Sequence, residues 1–231
     1  MSFTSNVTGH YAIFAAEISQ GNWAQVAVVA GWIFLFFFGG FVANLSVINF
    51  NKKSKYFAHA FPIILEILCL LTVGIYGQFY YKKTLGETEA LVALMLFATG
   101  LQNGLTASIS NFSVKTTHLT GTTTDLGILA SMFTQKKFRK NPELIARAKL
   151  LTSIMAAYVL GAIFSGLTYY SLEFRVFYVI SVCLLVVIGY DFYKINIRHF
   201  QTEYRYYKIY HKPTFIAFLY YKIHNKDEKR T

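Results

Sequence analysis

Charged residues are scarce in this chain of 231 residues. Only 14% of the residues are charged, whereas 55% are hydrophobic, and a soluble domain usually carries about 25% charged residues. A soluble protein with this sequence would have to bury several apolar runs of about 20 residues, which is unusual for one domain of this size. The scarcity of charge therefore predicts a protein that lies in a lipid bilayer.

Cysteine is also rare, and the patterns that carry catalysis are missing. The two cysteines, Cys69 and Cys183, both lie inside apolar runs, so we expect packed thiols and neither a disulfide nor a metal site. There is no Ser-His-Asp, metal-binding or nucleotide-binding motif. We therefore predict no enzyme activity and no cofactor, and a membrane enzyme ranks below the other classes of function.

The positive charge is concentrated at the ends of the apolar runs. The net charge is +11, and the basic residues cluster at 52–55, at 136–149 and after Lys194. Cytoplasmic loops with contact to anionic lipid explain this distribution better than nucleic acid does. We expect a multi-pass protein of the bacterial inner (plasma) membrane with a cytoplasmic C-terminus and with membrane lipid, but no nucleic acid, as a partner.

Apolar stretches of two lengths predict the fold class. Five stretches, at about residues 23–48, 57–81, 88–109, 148–170 and 174–193, are long enough to cross the roughly 30 Å hydrocarbon core. Two shorter stretches lie at about 7–19 and 119–134. We predict an all-α membrane protein, a bundle of about five to six transmembrane helices with two additional short helices.

A hydroxyl-rich motif occurs twice, each time just before a short stretch. The first copy contains Thr8-Gly9-His10 and the second contains Thr120-Gly121. We predict two repeats, at about 1–81 and 88–193, and the first lacks its initial helix because its motif begins almost at Met1. The repeats form a transmembrane domain over 1–195, followed by a basic, tyrosine-rich cytoplasmic tail over 196–231. Charge favours inverted repeats whose short helices do not cross the membrane; short helices that cross are the alternative.

Polar breaks inside inverted repeats build the substrate sites of many transporters. The threonine hydroxyls can cap the short helices, and the glycines can permit a tight bend or a close approach. Each candidate also has a structural interpretation: a capped turn, a polar filler, a partner for a polar group in the case of Glu66, or a helix-dipole partner in the case of Asp125. The candidate substrate-binding residues are Thr8, Gly9, His10, Glu66, Gln102, Asn103, His118, Thr120, Gly121 and Asp125.

These motifs resemble the signature of a known family. The matching elements are Thr8-Gly9-His10 with Ala15, the run Gly100-Leu101-Gln102-Asn103-Gly104, and residues 116–122 with Asp125-Leu126-Gly127. Together they resemble the YoaK-like family of bacterial multi-pass membrane proteins, a domain of unknown function, over about residues 1–195. The resemblance implies about six spanning helices and a bacterial plasma membrane, and it implies no particular substrate.

Two classes of function remain. The leading hypothesis is a transporter or channel for an unidentified small solute, with its site between the two Thr-Gly motifs. The alternative is a non-transport membrane scaffold or sensor that acts through its basic tail. A homo-oligomer is compatible with either hypothesis.

Overall fold

Helices make up all of the regular structure in the described part of the chain. The computed structural model describes residues 6–52, 54–112 and 114–211. A 3-10 turn at Glu173–Arg175 separates the last two helices. The helices are α1 (Val7–Gln20), α2 (Trp23–Phe50), α3 (Lys55–Phe79), α4 (Leu85–Ile109), α5 (Leu119–Phe133), α6 (Lys136–Arg139), α7 (Pro142–Leu172) and α8 (Val176–His211).

Four helical stretches in the described residues are long and apolar enough to cross a membrane. They are Trp23–Phe50, Lys55–Phe79, Leu85–Ile109 and Pro142–Lys194. The fourth covers 53 residues and contains both of the predicted stretches at 148–170 and 174–193. Its backbone is interrupted at Glu173, where φ is 48° and ψ is −127°. An apolar, multi-span membrane protein is therefore supported, and the count of five to six spans stays a prediction.

The two short helices form where the sequence predicted them. α1 has 14 residues and α5 has 15 residues, so each is about 21 to 23 Å long. The hydrocarbon core of a bilayer is about 30 Å thick. Each described helix is therefore shorter than this core, and the interpretation that the short helices do not cross the membrane stays a prediction.

The chain divides into two compact units, Met1–Leu185 and Val186–Thr231. The first contains α1 to α7 and the start of α8. Within the described residues, the second consists of the remainder of α8, up to His211. The predicted tail at 196–231 begins inside this helix, and its part beyond His211 lies outside the described residues.

α2 and α4 form the most extensive helix–helix contact of the first unit, and they run parallel. Gln25 Nε2 donates to Glu89 Oε1 at 3.4 Å, near the start of both helices. Ser108 Oγ donates to Asn44 Oδ1 at 2.9 Å, near their ends. Both pairs are 64 residues apart in sequence. A constant separation over five turns means that the two helices share one direction and one register.

Glycines allow the backbones of α2 and α4 to touch. A Cβ atom on Gly104 would lie 2.6 Å from the Cα of Gly40, and one on Gly100 would overlap the carbonyl oxygen of Phe36. Small residues of this kind let membrane helices pack closely. The run Gly100-Leu101-Gln102-Asn103-Gly104 is thus first a packing motif, with Gly100 and Gly104 facing α2.

α3 completes the core and runs antiparallel to both helices. At one end Ser46 Oγ donates to the carbonyl of Ala58 at 3.0 Å, and at the other Tyr76 Oη donates to Glu87 Oε1 at 3.0 Å. The helix buries one face against α2 and α4, at positions that recur every three or four residues. The buried residues of α3 are Ala58, Ala60, Pro62, Ile63, Glu66, Ile67, Cys69, Leu70, Val73 and Gly74, of which Gly74 meets Phe174, Phe177 and Tyr178 instead of α2 or α4.

Candidate functional site

The first short helix begins beside the middle of α2. α1 and α2 are joined by a tight turn in which Gly21 has φ 72°, so they pack as a hairpin. The buried His10 ring meets Trp32 edge-on, with 5.4 Å between the ring centroids. Trp32 lies within about 7 Å of the midpoint of α2, counted from the helical rise. The N-terminus of α1 is therefore at mid-depth in the bundle.

The segment before the second short helix is held by Asn103 of α4. The Asn103 Oδ1 atom accepts from Thr116 Oγ1 at 2.9 Å and from the Thr117 backbone N–H at 3.2 Å. Its Nδ2 atom donates to Thr117 Oγ1 at 2.8 Å and to the Thr99 carbonyl at 3.1 Å. One buried amide thus satisfies polar groups of a non-helical segment that would be costly to bury alone.

Asn103 sets the depth of α5. Gly100 lies beside Phe36 and Gly104 lies beside Gly40, so Asn103 is level with the Gly39-Gly40 pair, close to the midpoint of α2. Because Thr117 is bound to Asn103 and α5 starts at Leu119, the second short helix also begins at mid-depth. The two helix N-termini therefore lie at nearly the same level along α2 and α4.

The two N-termini also share a local structure. The N-cap residues, Asn6 and His118, have φ/ψ of −99°/71° and −87°/55°. Each is followed three positions later by a glycine, Gly9 or Gly121. A Cβ on Gly9 would lie 2.9 Å from Asn6 Nδ2, and one on Gly121 would overlap the His118 imidazole. Each glycine thus allows the side chain of the N-cap residue to approach the helix backbone closely, which is one of the two roles predicted for the glycines. By position, the residue equivalent to Asn6 is His118 and not His10.

Threonine hydroxyls do not supply the caps, contrary to the sequence-based expectation. Asn6 Oδ1 accepts from the Gly9 N–H at 3.1 Å, while α5 has no side-chain cap hydrogen bond. The reason is position: the threonines of α5 lie inside the first turns, where their hydroxyls reach the carbonyl four residues earlier. The hydroxyls of Thr122, Thr123 and Thr124 all donate in this way.

Glu66 is a carboxylic acid at the same depth. It lies one residue from the midpoint of α3, on the face that packs against α2 and α4, and is 7% exposed. Its carboxylate makes no hydrogen bond to the residues that the structure describes. A carboxylate in the middle of an apolar span is costly, and such residues usually serve ion or solute pathways. Glu66 is the strongest candidate for chemistry among the predicted residues.

Asp125 is held by a partner that the sequence did not reveal. Arg147 Nη2 of α7 lies 2.9 Å from Asp125 Oδ2, and the Asp125 side chain is 39% exposed. The pair is 22 residues apart and on different helices, so no local spacing signals it. Asp125 therefore links α5 to α7, in addition to its favourable position in the first two turns of its own helix.

The remaining candidates fall into two groups. Thr8, Thr120 and His118 are exposed, whereas Gln102 is half-buried. α1 packs against α2, and α5 packs against α7, so Thr8 and Thr120 share a depth but are carried by different helices. The described residues contain no group of three or more His, Cys, Asp or Glu side chains that could hold a metal ion.

Comparison with known proteins gives a family and no activity. The family described as "Protein of unknown function (DUF1275)" matches residues 1–190, which is most of the chain and ends close to the limit of the predicted transmembrane domain. No curated protein and no solved structure is detectably similar to it. The finer grouping as YoaK-like stays a prediction. The chain therefore belongs to the DUF1275 family of proteins of unknown function.

Proposed function

We propose that this protein is a transporter or channel for a small solute, and that the solute passes the mid-depth layer of the bundle. The observation that carries the proposal is the pair of half-length helices whose N-termini meet this layer, with the buried Glu66 at the same level. Secondary transporters bind their substrates near the bilayer midplane with broken helices of this kind. The positive ends of the helix dipoles favour an anionic or polar group, and a carboxylic acid suits a proton or cation.

The directions of the two short helices support inverted repeats. α1 runs from mid-depth towards the start of α2. The C-terminal end of α7 lies against the end of α3, where Phe174 meets Tyr81 with 5.4 Å between ring centroids. α7 has 31 residues and is therefore about 46 Å long. Its first residue thus lies at the opposite end of the bundle from Phe174, and α5 and α6 precede it in the chain. α5 then leaves the middle layer in the direction opposite to α1.

Charge supports one orientation of this arrangement. The basic residues around 52–55 and 136–149 would lie at the cytoplasmic end, and those after Lys194 would give a cytoplasmic C-terminus. The opposite end carries Lys82 and Lys83 together with the acidic residues Glu87 and Glu89. We infer a multi-pass protein of a bacterial plasma membrane.

Single cysteines at the two motifs test for a wet mid-depth layer without knowledge of the solute. In a background with Cys69→Ala and Cys183→Ala, we expect Thr8→Cys and Thr120→Cys to react with a membrane-impermeant thiosulfonate in intact membranes. The matched control is Phe37→Cys, because Phe37 lies at the same depth on α2 but is exposed on its apolar, aromatic face. It should stay unreactive.

Equal protection of all three cysteines would mean that the motifs face lipid or a dry interior. That result would reject the transport proposal and would favour the alternative, a membrane scaffold or sensor that acts through its basic tail.

Glu66 gives a second prediction. Glu66→Gln keeps the shape of the side chain and removes its charge, so the protein should fold at least as well as the wild type, because a buried charge is costly. If Glu66 carries a coupling proton or cation, the variant should lose solute-dependent proton or ion flux in proteoliposomes by about tenfold or more. Wild-type flux in the variant, with a solute found by ligand-stability screening, would remove Glu66 from the pathway. Glu143→Gln, at the exposed start of α7, is the control.

A further inference from the structure

A polar cavity lies away from the mid-depth layer, at the end of α3. Its volume is about 480 Å³, within the range of small-molecule sites. Its walls come from the last turn of α3, the loop before α4, the end of α7 and the 3-10 turn. The polar lining residues include Gln78, Tyr81, Lys83, Ser171, Glu173 and Arg175.

Two positively charged side chains, Lys83 and Arg175, line this cavity, and both are exposed. Neither Lys83 nor Arg175 forms an ion pair with a residue that the structure describes. The ion pair among the described residues, Asp125–Arg147, does not line this cavity. The third charged lining residue is Glu173, which leaves one net positive charge. Lys83 lies between α3 and α4, whereas Glu173 and Arg175 lie in the 3-10 turn that follows α7.

The backbone at the rim is held in uncommon conformations. Lys83 has φ 62° and Glu173 has φ 48°, and residues other than glycine rarely adopt positive φ. Such conformations persist where the surrounding structure enforces them, and they cluster at ligand sites. Here the two residues lie in the α3–α4 loop and in the 3-10 turn after α7, and both line the same cavity.

We propose that this cavity binds a phosphate ester, with Arg175 and Lys83 as ligands of the phosphate oxygens. The guanidinium fork of arginine matches phosphate geometry, and lysine adds a compact charge. Glu173 would repel a bare anion, but its carboxylate can accept from a hydroxyl or ammonium group on the other arm of the ester. The Gln78 amide and the Ser171 hydroxyl offer further donors. The ester is either a phospholipid headgroup or a soluble glycerol phosphate.

The test measures thermal unfolding of the full chain in a maltoside detergent and a phosphate-free buffer. One arm adds phosphatidylglycerol to the micelles, and the other adds glycerol 3-phosphate. We expect at least one probe to raise the unfolding temperature of the wild type in a saturable manner. Arg175→Gln should lower the affinity for that probe by about tenfold or more, as loss of a charge-assisted contact implies.

Two further variants keep the result interpretable. Lys83→Asn removes the second positive charge, and asparagine tolerates the positive φ of this position. The variant should therefore fold and should bind the same probe more weakly than the wild type. Lys55→Gln removes an exposed charge from the opposite end of α3 and should bind like the wild type. A response to lipid alone assigns a headgroup site, and a response to glycerol 3-phosphate assigns a soluble ligand. No response to either probe, or equal responses in Arg175→Gln and Lys55→Gln, would overturn the proposal.

Discussion

Replacing Gly100 by alanine is expected to cost about 3 kcal/mol of stability, the upper range for overpacking a core. The added Cβ would overlap the carbonyl oxygen of Phe36. That oxygen belongs to the backbone of α2, so it cannot move aside as the tip of a side chain can. The two helices would have to separate along their whole contact. Thermal or denaturant-induced unfolding of the purified protein in detergent measures the loss.

Gly31→Ala is the matched control on α2. A Cβ on Gly31 would meet nothing within 4 Å, so the change should be neutral or stabilising by up to about 1 kcal/mol, the difference in helix propensity. Similar losses at Gly100 and Gly31 would contradict the close contact of α2 with α4. They would also remove the register on which the depth of Asn103 depends.

Asn103→Ala is expected to destabilise the protein by about 3 kcal/mol and to loosen the segment before α5. The change removes the partners of Thr116 Oγ1, of the Thr117 N–H and of Thr117 Oγ1. A buried polar group left without a partner costs about 1 to 3 kcal/mol. Faster proteolysis at Lys115 in detergent should accompany the lower unfolding temperature.

The neighbouring amide provides the control for this prediction. Gln102 precedes Asn103 on α4, but its side chain makes no hydrogen bond to the described residues, so Gln102→Ala should cost less than about 1 kcal/mol. If the two variants lose the same stability, the hydrogen bonds of Asn103 do not hold the break, and α5 need not begin at mid-depth.

Features that depend on contiguous residues could be predicted from the sequence. The apolar runs gave the long helices, and the bounds of the short helices were anticipated to within one residue, because helix length and hydropathy are properties of contiguous residues. The repeated motif correctly marked the two helix starts. The cap residues were assigned wrongly, since the exact first residue of a helix decides whether a threonine caps it or bonds backwards, and composition does not reveal that residue.

Partner choice across the bundle was not predictable in the same way. The sequence placed Gln102 and Asn103 side by side near the break, but helix rotation decides that Asn103 faces Thr116 and Thr117. Arg147 was not recognised as the partner of Asp125, and the cavity between Lys83 and Arg175 was not anticipated. Each of these contacts joins segments that are separated by other helices, so local patterning carries no signal for it.

The sequence by itself determined that this is a helical membrane protein with a duplicated polar motif, because a bilayer demands long apolar runs and makes every polar interruption conspicuous. Only the tertiary structure decided that the two motifs share one depth with Glu66. That depth follows from the parallel register of α2 and α4, which the contact of Gly100 and Gly104 with Phe36 and Gly40 enforces. Steric fit between two helix backbones is a property of the pair, and neither helix alone encodes it.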